Sequence, residues 1–492
     1  MLIPHHLANK HIAVLGLGRS GLAVCRSLMH VEGVTLTVHD DLLTDIDQHI
    51  ARLLADNPTA ISKPIIATPD AWAWDKLAYV VVSPGIPLRH PTPHLVAKLA
   101  DKHNVSLICD IEILMQMLAQ NKAQNKAQGE VKAKCIGITG TNGKSTTAAL
   151  TAHLLKQAGR EAILAGNIGT AVLTLDVDKN KAGAEVVIVL ELSSYQLDLT
   201  PSLHLEAATI LNITPDHLDR HGGWEGYVAT KASIAEAVAK NGMLVLGGDQ
   251  PCQEIATRHK TNVNKGKFKV QTIAPEVIEG AVLPSALTGR HNRLNAAAAV
   301  QLIMALDTGL TVADLLPHLT SFRGLPHRLE LIGEWVSTKQ TIAFVNDSKA
   351  TNAVAAAQAL ASFPVIYWIV GGEMKEATLA ATHPFADRVR HAYVIGSNTK
   401  KTIAALPPAV PHHTSHTLDK AVVTAFADAK NQPPAKQGEE ATILLAPAAA
   451  SFDQFANFEE RGDCFRQLAH TLIQTSAPPT APPTTHEEAS NV

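Results

Sequence analysis

Cysteine, aromatic residues and excess charge are all scarce in this chain. Its 492 residues hold 5 cysteines and 4% aromatics, and 42 Lys+Arg stand against 45 Asp+Glu for a formal net charge of −3. The cysteines, at positions 25, 109, 135, 252 and 464, form no CxxC pair. That argues against a disulfide framework or zinc ribbon and fits a reducing compartment. A balanced charge supplies none of the positive surplus that polyphosphate backbones demand, so no nucleic acid is expected as partner. A membrane-spanning helix needs about 18 uninterrupted apolar residues, and no run comes near that length; Val186–Leu190, for example, stops at Glu191. After Lys10 the chain enters a strand-like segment with no signal-peptide core. The expectation is a soluble, cytoplasmic chain without membrane insertion, long enough for two to four domains at ~100–200 residues each.

What is present is a repeated alternation of short apolar runs and Ala-rich helical stretches, the mark of βαβ units on parallel sheets. Strands are expected at His11–Leu15, Val34–Val38 and Tyr79–Val82, then at Cys135–Thr139, Val186–Leu192, Ala208–Ile213 and Met243–Leu246. A third set comprises Ile342–Val345, Val365–Val370, Ala392–Ile395 and Thr442–Leu445. The NKAQ repeat in 121–134 reads as an exposed connector, FRGLPHR at 322–328 as a hinge, and the Pro-rich stretch 476–492 as a disordered tail. The fold class is α/β, with three consecutive domains at 1–110, 111–324 and 325–475. The first and third are Rossmann-like, and the central one is a P-loop-type ATPase domain on a parallel sheet.

Two glycine-rich loops carry chemistry. Gly16-Leu17-Gly18-Arg19-Ser20-Gly21 joins a strand to a helix, and Asp40 ends the following strand. Such a loop admits a diphosphate to a helix N-terminus; NAD or FAD, another nucleotide diphosphate and a plain tight turn all remain open. Ser83-Pro84-Gly85 follows the Tyr79–Val82 strand and could face the same ligand, or could be a simple loop.

Gly137-Ile138-Thr139-Gly140-Thr141-Asn142-Gly143-Lys144-Ser145-Thr146 is more specific. Its amides can cradle β and γ phosphates, Lys144 can balance their charge, and Ser145 can reach Mg²⁺. Isoleucine stands at 138, where the strict P-loop has glycine, so the loop is a variant. Glu191 closes the run VVIVL and suits metal ligation at the sheet's carboxyl edge; His217, in TPDHLD, follows another strand at that edge. PHHTSH at 411–416 reads as loop.

GTNGKST, ELSSYQL, NITPDHLDRH and GRHNRLN, in that order, resemble the Mur ligase family. FRGLPHR, NDSKATN, GGEMK and SFDQFANFEERG are similar to the family member that adds D-glutamate. The resemblance runs from the Gly16 loop to about Arg461 and implies an ATP-dependent amide ligase acting on UDP-N-acetylmuramoyl-L-alanine and D-glutamate. It reassigns the first domain to UDP, with Leu17, Gly18, Arg19, Ser20, Asp40 and Asp41 on one side and Ser83 and Gly85 opposite. Asn167 and His217 would touch substrate and reaction centre. For ATP it implies Gly140, Thr141, Asn142, Gly143, Lys144, Ser145 and Thr146 on the phosphates, Asn292 and Asn295 near adenine, and Arg328 and Asp347 from the third domain. Lys349, Thr351, Lys375 and Ser451, flanked by Phe458, would receive D-glutamate.

Lys231 reads, from its residues alone, as an ordinary solvated helix lysine. The resemblance makes it a carbamylated lysine, which with Ser145, Glu191 and His217 would hold two Mg²⁺ ions; desolvation lowers an amine's pKa and exposes the neutral nucleophile that CO₂ needs. The implied catalytic set is Lys144, Asn167, Glu191, His217 and Lys231. The γ-phosphoryl group would pass to the L-alanine carboxylate, and closure at 322–328 would shield the acyl phosphate from water. A monomer is expected. The rival readings are another Mur ligase, a folylpolyglutamate synthase-like enzyme, an NAD-dependent oxidoreductase using the Gly16 loop, and a non-catalytic ATP-binding switch.

Overall fold

The computed structural model describes residues 1–124, 132–175, 185–263, 268–287, 289–337, 340–374, 378–432 and 440–476. Three sheets organise the chain, which divides into two compact units. The first unit, Met1–Val282 with Asn292–Phe322, holds two of the sheets; the second, Leu283–His291 with the chain from Arg323 on, holds the third.

In the first sheet the strands β1 (His11–Leu15), β2 (Thr35–His39), β3 (Ile65–Ile66), β4 (Leu77–Val82) and β5 (Ser106–Ile108) lie in the order β3-β2-β1-β4-β5, all parallel. The second comprises β6 (Lys132–Thr139), β7 (Glu161–Gly166), β8 (Glu185–Glu191), β9 (Leu205–Ile210), β10 (Val238–Leu246) and β11 (Lys269–Thr272), ordered β11-β10-β9-β6-β8-β7 and again all parallel. The third comprises β12 (Glu330–Val336), β13 (Thr341–Asn346), β14 (Val365–Gly371), β15 (Val389–Ile395), β16 (His412–His416) and β17 (Ala441–Leu445), ordered β12-β13-β17-β14-β15-β16. Only β12, antiparallel to β13, breaks the parallel set.

Every expected apolar run became a strand, and all of them are interior. Parallel strands covered by helices on both faces must be apolar throughout, as β14 shows by burying all seven residues of VIYWIVG. The strands that hydrophobicity did not reveal, β3, β5, β7, β11, β12 and β16, are the edges of the three sheets. PHHTSH is thus corrected from loop to edge strand: β16 pairs with β15 while exposing both His412 and His413, because an edge strand has one free side and tolerates polar residues.

The expected connector 121–134 is shorter than its composition suggested. Residues 121–124 complete the helix Asp110–Gln124 and 132–134 open β6, while 125–131 lie outside the described residues. Ala, Lys and Gln are good helix formers, so low apolar content there does not end the helix. The expected tail lies outside the described residues apart from Ser476. No helix among the described residues is long and apolar enough to cross a membrane.

Strand order places the ligand crevices. In an open α/β sheet a crevice forms where strand order reverses, outside the carboxyl ends of the strands. In the first sheet that point lies between β1 and β4, whose ends lead to Gly16 and Ser83; in the second, β6 leaves the sheet between β8 and β9.

Candidate active site

At the first crevice the chain approaches itself too closely for side chains. A Cβ on Gly16 (φ +89°) would sit 2.8 Å from Ser83, and one on Gly21 would sit 1.8 Å from the Gly16 carbonyl oxygen. The Ser83 hydroxyl donates to that carbonyl at 2.9 Å. Asp40 accepts from the Leu17 amide at 2.7 Å and from the amides of Leu42 and Leu43 at 2.9 and 3.1 Å. Its carboxylate therefore holds two loops together. Asp41 lies between two imidazoles, 3.3 Å from His39 Nε2 and 3.1 Å from His94 Nε2. Gly18 and Arg19 are exposed and Ser20 half-buried. The Gly85 carbonyl accepts from the Arg220 guanidinium at 3.1 Å.

At the second crevice the loop from Gly140 to Gly143 is pinned by the segment after β9. Thr141 N donates to the Asn212 carbonyl at 2.9 Å, and the Asn142 amide to Asn212 Oδ1 at 2.9 Å. Asn212 Nδ2 returns a bond to the Asn142 carbonyl at 3.0 Å. Gly143, at φ +84°, opens the helix Lys144–Gln157, and a Cβ there would meet Asn295 Oδ1 at 2.4 Å. Ser145 is buried and Thr146 half-buried on the first turn. Asn295 and Asn292, both buried, are joined by a 3.1 Å bond from Asn295 Nδ2 to Asn292 Oδ1.

Two amines converge on one backbone oxygen. Lys144 Nζ donates to the carbonyls of Gly140 (2.9 Å) and Thr141 (2.8 Å), and Lys231 Nζ donates to the Gly140 carbonyl at 2.9 Å. Lys231 is 2% exposed, with its amine 4.8 Å from the centre of the Tyr227 ring. Burial, then repulsion from Lys144, holds that amine well below the ordinary lysine range, against the pull of Asp216 and Glu191. Glu191, 1% exposed at the end of β8, accepts at Oε1 from Asn167 Nδ2 at 2.8 Å. Its Oε2 is buried without a hydrogen-bond partner among the described residues.

An unsatisfied buried carboxylate oxygen is costly unless a ligand completes it, and it is the donor type that Mg²⁺ prefers. No group of three His, Cys, Asp or Glu among the described residues forms a ready-made metal cage. That is the pattern for an ion held by one or two protein groups and the rest by substrate phosphates.

His217 stands in left-handed conformation (φ 52°) with its side chain 42% exposed, 3.6 Å from Asp216 and edge-on to Tyr195. It meets the Lys231 group through Asp216, whose carboxylate acts on the buried amine. Asp216, Asn212 and Tyr227 were not singled out in the sequence. Tyr227 alone had a signal: it lies four residues before Lys231, on the same helix face.

In the second unit, Lys349 follows the carboxyl end of β13 with its Nζ 4.0 Å from the centre of the Phe458 ring. Thr351 N donates to the Lys349 carbonyl at 2.8 Å. Ser451 is buried after β17. Lys375 lies outside the described residues. Arg461, 1% exposed, braces this group by donating to Ser348 and to the carbonyls of Ala449 and Ala450. Asp347 is buried and accepts from the Leu329 amide at 3.2 Å.

Burial pushes the Asp347 carboxyl up to about 7, although the Leu329 amide and Arg328 pull it down. The folded chain then keeps a proton that the unfolded chain releases near pH 4, so stability falls as pH rises from about 4 to 7 and stays lowered above that. Asp347→Asn removes the penalty. Without nucleotide its melting temperature should exceed wild type at pH 8, by up to ~4 kcal/mol of stability, and should match wild type at pH 4. A pH-independent difference in thermal scans would refute the assignment.

The Mur ligase middle domain family matches residues 138–303, which include the Gly140 loop, Glu191, His217 and Lys231. The UDP-N-acetylmuramoylalanine--D-glutamate ligase of Mesorhizobium japonicum is 40% identical over 490 residues, covering 94% of this chain and 96% of that one. The chain belongs to the UDP-N-acetylmuramoylalanine--D-glutamate ligase family. The ligase of that name from Caulobacter vibrioides is 39% identical over 94% of this chain and 96% of its own. MurF of Acinetobacter baumannii shares the fold at a TM-score of 0.56 and 17% identity, over 94% of this chain and 93% of that one. The chain is therefore an ATP-dependent ligase of peptidoglycan precursor synthesis, in a family that uses ATP and Mg²⁺. The oxidoreductase, folate-ligase and switch readings fall with that membership.

Proposed function

We propose that this chain joins the amine of D-glutamate to the L-alanine carboxylate of UDP-N-acetylmuramoyl-L-alanine at the expense of ATP. The observation that carries the reading is the gathering of Lys144, Lys231 and Glu191 around the Gly140 loop, where the second sheet's strand order reverses. A carboxylate is a poor electrophile. The γ-phosphoryl group of ATP passes to it, ADP leaves, and the acyl phosphate offers phosphate as leaving group to the attacking amine, which gives up a proton.

Such transfer rests on positioning and charge neutralisation. Lys144 meets the phosphates, and the amides of Gly140–Thr146 cradle them. Asn167 fixes Glu191 by its bond to Oε1 and leaves the buried Oε2 without a partner among the described residues. Ser145, Glu191, His217 and a carbamylated Lys231 would hold two Mg²⁺ ions, which supply charge neutralisation on the transferring phosphoryl oxygens. Two ammonium groups sharing one carbonyl repel; carbamylation of Lys231 removes one positive charge and adds a negative one beside Lys144.

We assign residues 1–110 to UDP, 111–324 to ATP and 325–475 to the amino acid. Leu17, Gly18, Arg19, Ser20, Asp40 and Asp41, with Ser83 and Gly85, take the UDP moiety, and Asn167 and His217 reach its muramoyl-alanine end. Asn292, Asn295, Arg328 and Asp347 serve ATP. Lys349, Thr351, Lys375 and Ser451 offer donors to the carboxylates of D-glutamate beside Phe458. The enzyme acts as a cytoplasmic monomer.

The test is a panel of amines with UDP-N-acetylmuramoyl-L-alanine and ATP, read as ADP release. D-glutamate should support turnover, and L-alanine, meso-diaminopimelate, L-lysine and D-alanyl-D-alanine should not. Turnover with another member of the panel in place of D-glutamate would reassign the amino-acid site.

A further inference from the structure

Between the two crevices stands an arginine that the reaction above does not use. Arg220 closes the short turn Leu218–Arg220, and its amide donates to the His217 carbonyl at 3.0 Å. Its guanidinium crosses to the first sheet, where Nη1 and Nη2 both donate to the Gly85 carbonyl at 3.1 Å. Gly85 lies two residues after Ser83, whose hydroxyl is bonded to the Gly16 carbonyl. Two N–H groups on one oxygen fix the orientation of the planar guanidinium as well as its position.

The face of that guanidinium lies over Tyr195, with Cζ 4.5 Å from the ring centre. Tyr195 follows the β8 carboxylate Glu191 by four positions and belongs to the helix Ser194–Asp198. A reciprocal cap holds that helix: Gln196 N donates to Ser193 Oγ at 3.2 Å, and Ser193 N to Gln196 Oε1 at 3.0 Å. The same ring is edge-on to His217 at 5.4 Å and stacks on His221 at 5.5 Å. A second crossing lies beside the first. Gly222, at φ +69°, packs on the His90 imidazole so closely that a Cβ would sit 3.0 Å from Nε2.

Both partners of the Arg220 guanidinium are uncharged, so the contact fixes geometry rather than cancelling charge. A long substrate pinned by its diphosphate in one crevice reacts at a carboxylate in the other. Any error in the separation of the crevices then becomes an error at the reacting atom, and about 1 Å of misplacement can cost on the order of 10²-fold in rate.

We propose that Arg220 is a strut that sets the distance between the diphosphate crevice and the phosphoryl-transfer crevice, so that the carboxylate of the bound UDP substrate meets the γ-phosphate of ATP. It is a positioning residue, acting through Gly85 on one side and through Tyr195 and His217 on the other. The inference rests on the reading that the UDP substrate spans both crevices.

A strut matters only to a ligand that reaches across it. The full-length Arg220→Ala chain should therefore bind UDP alone, and a non-hydrolysable ATP analogue alone, with wild-type affinity by calorimetry. With saturating UDP-N-acetylmuramoyl-L-alanine and ATP, its hydroxylamine-trapped acyl phosphate should form about 10²-fold more slowly. Arg220→Lys, the second variant should alanine not fold, should also be slow, because one ammonium cannot both hold the carbonyl through a planar fork and lie flat on the ring. Tyr195→Leu should slow the same step. The double variant Arg220→Ala/Tyr195→Leu should lose far less than the product of the two single losses, as residues acting through one contact do. Wild-type trapping in Arg220→Ala, or losses that simply multiply in the double variant, overturns the strut. A fall in UDP affinity as large as the fall in rate also overturns it, making Arg220 a direct ligand of the diphosphate. Gly18→Asp tests the reading beneath: a Cβ there meets nothing within 4 Å, yet the added carboxylate should repel the diphosphate and weaken UDP binding. Wild-type UDP affinity in that variant would instead overturn the loop assignment.

Discussion

Lys144→Ala should lower the rate of acyl-phosphate formation by at least about 10²–10³-fold, the usual loss on deleting one preorganised electrostatic contact to a transition state, while binding of the UDP substrate survives. The amine starts the helix Lys144–Gln157 and is held by the Gly140 and Thr141 carbonyls, so it is positioned before nucleotide arrives. Charge that needs no rearrangement at the moment of transfer is the most effective kind. The loops proposed for UDP belong to a different sheet, and neither of their anchoring bonds, Ser83 to Gly16 or Leu17 to Asp40, involves Lys144. Hydroxylamine trapping of the acyl phosphate measures the first effect and calorimetry the second. Unchanged trapping would remove the phosphate loop from the mechanism.

Lys231→Ala should cost a comparable factor, on the order of 10²-fold or more, and acetate or propionate should restore part of it. The side chain fills a buried space beside Gly140 and Tyr227, and its removal leaves a cavity lined by Lys144 and Glu191 as electrostatic neighbours. A short carboxylate entering that cavity places an anion where the carbamate would stand. Ammonium-bearing rescuers of similar size should fail, because they reproduce the unmodified amine. Wild-type turnover in the variant would make Lys231 structural. Low turnover that no carboxylate raises would remove the carbamate from the proposal.

The sheet interiors were legible in the sequence and their edges were not, for one physical reason. A central parallel strand has to be apolar on both faces, as in VVIVL of β8, whereas HHTSH of β16 and the two-residue β3 need only a neighbour on one side. The Gly140 loop was legible because glycines at fixed offsets from a lysine have few other uses. Lys231 was not, since nothing in GYVATKAS distinguishes a buried amine from a solvated one, and its 2% exposure arises from elements distant in sequence. Asn212 and Asp216 were invisible for the same reason: each acts through partners that only the fold brings near.

The oxygen on which both amines converge belongs to the main chain, and this has a practical consequence. Gly140 is held at φ +147°, with a Cβ there only 3.1 Å from Leu211 Cβ and 3.2 Å from Leu211 N, so even alanine is strained at the position. No codon change deletes a carbonyl. Alanine scanning will therefore pass over the hub of this arrangement, and an inhibitor that engages that oxygen would address an atom that resistance mutations have no direct way to edit.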